Sequence, residues 1–215
     1  MKPHEDHRAQ AGKGLAVRVV TVSSSRFAKK EAGEGYTDEA GDAAVAEALR
    51  AGHRVNRRAL ISDDAAMLRR EVEGFLAGGE DALLFTGGTG VSPRDVTIET
   101  IRPYFEKELD GFGELLRRLS YDEIGAAGVL SRAAAGVAGG KLIVCMPGSP
   151  GAVRTFLGAL AGEFAHVVYI AGGQGPRGYG AARREGRPDR VRQGDGRGPG
   201  RQGRRPEARR SVHGD

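Results

Sequence analysis

Short apolar runs alternate with stretches of helical period along most of this chain. Leu15 to Val22 is Val-rich and predicts a strand. From Asp38 through Leu49 the residues Ala40, Ala43, Ala44, Val45, Ala48 and Leu49 mark one side of a helix, which Gly52 ends. His53 to Leu60 reads as a second strand, with Val55 and Leu60 as its apolar members, and Ala65 to Leu76 as the next helix. Ala82 to Phe85 is apolar without alternation, the pattern of a central parallel strand covered on both faces. A helical pattern resumes at Thr97 and runs to Phe105. Another spans Gly111 to Gly125, with Leu115, Leu116 and Leu119 inward. Lys141 to Met146 predicts a strand, Ala152 to Ala161 a helix, and Val167 to Ile170 a last strand. Phe27 to Gly35, with two lysines and two glycines, reads as a mobile loop. In Ala126 to Gly140, periodicity does not separate helix from strand.

Strands and helices alternating at this spacing predict an α/β fold with a mostly parallel sheet and helices on both faces. In such sheets ligands bind beyond the carboxyl ends of the strands. Four such ends carry chemistry: Ser23 to Arg26, Ser62 to Asp64, Thr86 to Asp95, and Pro147 to Gly151. One cleft could hold them all.

The most informative of these is Thr86-Gly87-Gly88-Thr89-Gly90, where an apolar strand runs into a glycine turn. Glycines tolerate positive φ and let backbone N–H groups approach a ligand, so the loop can cradle phosphate. It is neither the P-loop nor the dinucleotide fingerprint, and a tight turn without a ligand explains the same residues. Arg94 and Asp95 follow where a helix could begin. Of Asp63 and Asp64, one is accounted for as a helix cap, and the other is available to face the same edge as Asp95. Cys145, among Leu142, Ile143, Val144 and Met146, reads as a buried, inert core residue, and His53 as a structural hydrogen-bonding group. His4 and His7 have a spacing that could bind metal, but no further ligand is near.

Charge is unevenly spread. Residues 175–215 hold twelve Arg, no Lys and five acidic residues, a charge of +7 against +5 for the whole chain, which leaves the rest near −2. The basic balance therefore belongs to the tail, and nucleic-acid binding by the folded part is not expected. The tail has one aromatic residue, Tyr179. A solvated extension fits it better than an RNA-binding appendage. Residues 1–14 and 175–215 are expected to be disordered, flanking one domain over 15–171. A single cysteine, no apolar leader and no apolar run approaching the ~20 residues of a bilayer span predict a cytoplasmic protein.

Several motifs in one order carry a resemblance. Thr86-Gly-Gly-Thr-Gly90, Arg94-Asp-Val-Thr97 and Pro147-Gly-Ser-Pro150 resemble the MoaB/Mog family of molybdenum-cofactor biosynthesis proteins. So do Gly111-Phe-Gly-Glu114 with Arg117 and Ser120, Ile124-Gly125 and Leu130-Ser-Arg-Ala133. The resemblance implies a three-layer α/β/α sandwich that assembles as a trimer or a hexamer. It also implies transfer of AMP from Mg-ATP to the terminal phosphate of molybdopterin, with release of pyrophosphate. A non-catalytic molybdopterin carrier or scaffold of the same fold is the alternative, and a molybdenum-insertion protein is an implied partner.

By the same resemblance, Thr86, Gly87, Gly88, Thr89 and Gly90 form the nucleotide and phosphate cradle. Asp63 and Asp95 are the catalytic acidic residues and the ligands of Mg2+. Ser24, Ser25, Arg26, Arg117, Ser131, Arg132, Pro147, Gly148, Ser149 and Pro150 are expected to bind the pterin substrate. The family's Ser-Asp-Arg segment is here Ser24-Ser25-Arg26, without the acidic member. Its Asp-x-Ser-Gly is Asp38 to Gly41, with Ala40 replacing the serine. Arg117 and Arg132 could equally serve as partners in ion pairs.

Overall fold

The computed structural model describes residues 14–173. The two expected tails, 1–14 (apart from Gly14) and 175–215, lie outside the described residues, as do His4 and His7. Six strands form one sheet: β1 (Ala16–Val22), β2 (Arg54–Ile61), β3 (Ala82–Thr86), β4 (Lys107–Glu108), β5 (Ala134–Ala138) and β6 (Lys141–Met146). Their order is β2-β1-β3-β6-β5-β4. The first four strands in that order run parallel, while β5 and β4 are antiparallel additions at one edge.

Alternating side chains divide the core. Val17, Val19, Leu84, Val144 and Met146 face one cluster, which is completed by α2 (Glu39–Arg50), α5 (Asp110–Ile124), α6 (Pro150–Leu160) and α7 (Phe164–Ala171). Val20, Val22, Leu83, Phe85, Ile143 and Cys145 face the other, built with α3 (Ala65–Ala77) and α4 (Thr97–Ile101). The molecule is therefore the three-layer α/β/α sandwich expected. The apolar run of β3 is buried at every position because helices cover both of its faces.

Several segments differ from the sequence expectation, among them the edge strand β4, which had no counterpart there. Ser24–Glu31 is a helix, α1, where a mobile loop was expected from Phe27 onward. Ser23 caps it by accepting the Arg26 N–H, and Lys29 and Lys30 occupy its last turn, where they complement the helix dipole. Val167 to Ile170 is part of α7 and not a strand. Phe164 is buried, and Val167 and Val168, three and four residues on, pack partly buried on the same cluster.

The ambiguous stretch resolves into a 3-10 segment, Gly125–Leu130, followed by β5. The helix after the glycine loop begins only at Thr97 and has five residues, so Arg94 and Asp95 precede it. Pro150 is the first residue of α6, capped by Ser149, whose Oγ accepts the Ala152 N–H. The run Pro150–Ala171 is, against expectation, long and apolar enough by composition to cross a membrane. A 3-10 turn at Ala161–Glu163 breaks it, and its apolar residues Val153, Phe156, Leu157 and Phe164 are spent on the core.

Candidate active site

Parallel pairing aligns the ends of β1, β2, β3 and β6. Val22 is in register with Ile61, Thr21 with Thr86, and Thr86 with Met146. The four loops that follow must therefore leave the same edge, and they close around one cleft of about 820 Å³.

The glycine turn is the floor. Gly87 and Gly88 have φ of 103° and 62°, a region L side chains rarely adopt. A Cβ at Gly87 would collide with the Val22 carbonyl, and one at Gly88 with the Asp63 carboxylate and the Thr97 hydroxyl. Hydrogen bonds then fix the turn. The Gly87 N–H donates to Met146 O at 3.0 Å, the Thr97 N–H to Gly88 O at 3.0 Å, and Thr97 Oγ1 to Gly87 O at 3.0 Å. Thr86 is buried, and its Oγ1 donates to Pro147 O at 2.9 Å, joining the glycine loop to the Pro-Gly-Ser loop. A Cβ at Gly148 would lie 3.0 Å from Gly87 Cα, so the two backbones touch.

The two aspartates after β2 divide their work. Asp64 caps α3, its Oδ1 accepting the Met67 N–H at 2.8 Å. Asp63 faces the cleft, where its Oδ2 accepts both the backbone N–H and the hydroxyl of Ser24, each at 3.0 Å. Its Oδ1 is buried and has no hydrogen-bond partner. Asp95 lines the same cleft, with Oδ2 accepting the Ser92 N–H at 3.1 Å. Each carboxylate thus has one oxygen held by the protein and one uncommitted. Two carboxylates plus substrate phosphate oxygens suit Mg2+, which keeps few protein ligands. Among the described residues no group of three or more His, Cys, Asp or Glu is arranged to hold a metal ion.

Of the residues singled out from sequence, Ser24, Ser25, Asp63, Gly87, Gly88, Thr89, Gly90, Asp95, Ser131, Arg132, Pro147, Gly148 and Ser149 line this cleft. Thr86 and Pro150 are not among its lining residues, although each is bonded in sequence to one that is. Arg26 turns away, its Nε donating to Thr37 O at 2.9 Å, and lines an adjoining cavity with Ser25, Lys29 and Tyr36. Arg117 is exposed outside the cleft, with its guanidinium over Gly113. The reading from sequence had not assigned Ser92, Arg94, Ser120 and Glu123, nor an apolar wall of Ile124, Ala127 and Leu130. Ile124 and Leu130 are 57% and 59% exposed, so a large apolar side chain on the outer side of a helix was the available signal.

Asp38 and Gly41 lie beyond the cleft and are structural. Asp38 caps α2 by accepting the Gly41 N–H at 3.0 Å, and also accepts from Thr21 Oγ1 at 2.8 Å and Arg58 at 2.7 Å. Burial pushes its carboxyl pKa up, but the hydrogen bonds from Arg58, Thr21 and Gly41 outweigh it and hold the carboxyl below the usual range. Cys145 is fully buried and desolvation pushes its thiol far up, so it is inert. His53 is buried against Phe164, with Nε2 2.8 Å from Ala161 O.

A doubly covered parallel sheet with a glycine turn and two carboxylates at its C-terminal edge places this chain among the open α/β proteins that carry their ligand cleft beyond the carboxyl ends of the strands. Residues 18–166 match the family described as "Probable molybdopterin binding domain", and the chain belongs to that family, among the MoaB and Mog proteins. It is 40% identical over 167 residues to molybdenum cofactor biosynthesis protein B of Bacillus subtilis, covering 76% of this chain and 94% of that one. It is 37% identical over 168 residues to the molybdopterin adenylyltransferase of Pyrococcus furiosus, covering 76% and 95%. Among solved structures, the tungsten cofactor synthesizing protein MoaB of Pyrococcus furiosus superposes with a TM-score of 0.66 at 35% identity, over 74% of this chain and 98% of that one. A molybdopterin biosynthesis protein of Mycobacterium abscessus gives 0.67 at 29% identity, over 74% and 98%.

Proposed function

We propose that this protein is a molybdopterin adenylyltransferase. The observation that carries the reading is the convergence of the glycine turn, Asp63 and Asp95 on one cleft. Its relatives' names include molybdopterin adenylyltransferase, and the cleft is large enough for a nucleotide and a pterin together.

In this reaction the terminal phosphate oxygen of molybdopterin attacks the α-phosphorus of ATP. A new P–O bond forms, the bond from the α-phosphorus to the bridging oxygen breaks, and pyrophosphate leaves. The obstacle is the approach of several negative charges, so catalysis is positioning and charge stabilisation. The Gly87 N–H is spent on Met146 O, so the backbone N–H groups of Gly88, Thr89 and Gly90 are the ones that would meet phosphate oxygens, without interference from bulky side chains. Arg94, at the rim, supplies positive charge. Asp63 and Asp95 would hold Mg2+, which when bound neutralises phosphate charge. Ser24 orients Asp63 and keeps its inner oxygen pointed at the turn. The apolar wall of Ile124, Ala127 and Leu130 offers a surface for a flat ring.

The reading includes a cytoplasmic location, for which the single cysteine speaks, and a homotrimer or hexamer with a molybdenum-insertion protein as recipient of the product, both supported by the resemblance. Purified protein given ATP, Mg2+ and molybdopterin should form adenylylated molybdopterin. Molybdopterin binding with no AMP transfer would instead make it a carrier.

A further inference from the structure

Arg132 stands between the apolar wall of the cleft and β5, and its guanidinium is already engaged. Nη1 donates to Gly90 O at 2.7 Å, and Nη2 pairs with Glu99 on α4. The Glu99 side chain is 53% exposed and is not part of the cleft lining. Burial works to raise the Glu99 pKa, but the Arg132 hydrogen bond leads the effects that bring it below the ordinary range, so the pair is ionised at neutral pH.

Gly90 is the hinge of the matter. A Cβ there would lie 2.7 Å from Asp95 Oδ2, so the Gly90 backbone rests directly against that carboxylate. The turn's first half is fixed by Thr97 and Met146, whereas the side-chain bond given to the Gly90 carbonyl comes from Arg132. A shift of Gly90 would move both the end of the phosphate cradle and the seat of Asp95.

We infer that Arg132 is a positioning residue: anchored by Glu99, it straps Gly90 and thereby sets the glycine turn and Asp95 for transfer. This rests on the proposed adenylyl transfer, and it replaces the expectation that Arg132 is spent on the pterin phosphate. The strap is cross-linked to α4, whose Thr97 fixes the start of the same turn, so one short helix holds both ends of the loop.

Glu99 separates the two roles, because it is the anchor of a strap but touches no ligand in the cleft. The experiment compares Arg132→Ala, Arg132→Lys, Glu99→Ala and the double Ala variant. It measures kcat and KM for adenylyl transfer, molybdopterin binding by calorimetry, and amide hydrogen exchange over residues 87–92. A strap predicts a kcat loss of roughly 10- to 100-fold in Arg132→Ala with pterin affinity within about twofold, the scale of supporting-residue effects. Glu99→Ala should give part of that loss, the double variant no more than Arg132→Ala, and Arg132→Lys partial recovery. Exchange over 87–92 should accelerate in both single Ala variants. The inference is overturned if Glu99→Ala is silent while Arg132→Ala weakens pterin binding about tenfold or more, the mark of a direct ligand. It is also overturned if exchange over 87–92 is unchanged in both. Should the wild-type protein transfer no AMP, the proposed function fails, and the exchange measurement still decides the strap. Glu99→Gln, at an exposed position, supplies the same comparison if an Arg132 variant does not fold.

Discussion

Asp63 takes two hydrogen bonds from Ser24, one from the backbone N–H and one from the hydroxyl, both at 3.0 Å to the same carboxylate oxygen. This joins the loop after β1 to the loop after β2, and leaves the second oxygen facing the glycine turn. Asp63→Asn keeps the shape but removes the charge. Transfer should fall by about two orders of magnitude, the scale of losing a stabilising group at a reacting phosphate, with little change in melting temperature. Steady-state assays beside thermal unfolding check this, and unchanged turnover would remove Asp63 from the reaction.

Gly88→Ala should be inactive. It places a side chain at φ 62° and drives its Cβ into the Asp63 and Thr97 oxygens. The left-handed backbone alone costs ~1–3 kcal/mol. Both the thermal midpoint and the transfer rate should drop together. A variant with wild-type rate would show that the cradle tolerates a side chain.

Thr86→Val tests the latch between the glycine and Pro-Gly-Ser loops. It deletes the donor to Pro147 O while keeping volume in a buried site. The expected loss is about 1 kcal/mol of stability, a typical net hydrogen bond, with a raised KM for molybdopterin. Denaturant titration and initial rates measure the two effects.

Asp38 gives a pH signature unrelated to catalysis. Its folded pKa lies below the ordinary 3.8, so the folded state binds its proton less readily than the unfolded chain. The stabilisation is complete above the ordinary value and is lost as pH falls through the folded one. Asp38→Asn should therefore be less stable than wild type at neutral pH, and the gap should close below about pH 4. A gap that is constant with pH would contradict the assignment.

Much of this was legible in the chain. The unbroken apolar runs of β3 and β6 announced a sheet covered on both faces, and the glycine turn after Thr86 announced the binding edge. The helix α1 was not legible, because none of its residues is buried and an exposed helix leaves no apolar period to read. The strand expected at Val167 to Ile170 failed for the opposite reason. A four-residue apolar run suits either period, and only packing beside Phe164 decides it. At the site, local pattern alone left open which of Asp63 and Asp64 was the cap; the resemblance pointed to Asp63 for the cleft, and the Met67 N–H donating to Asp64 makes Asp64 the cap. It could not tell a free arginine from an engaged one. Arg26 and Arg132 are both bound to backbone carbonyls, through contacts 11 and 42 residues away in sequence.

If the protein is an adenylyltransferase, its cleft moves a nucleotidyl group between two phosphates. Single-turnover reaction with ATP labelled at the α-phosphate tests it most directly. The label should pass to molybdopterin, with pyrophosphate released in equal amount and only when molybdopterin is present. Label that stays in ATP, or appears as free AMP regardless of molybdopterin, would contradict it.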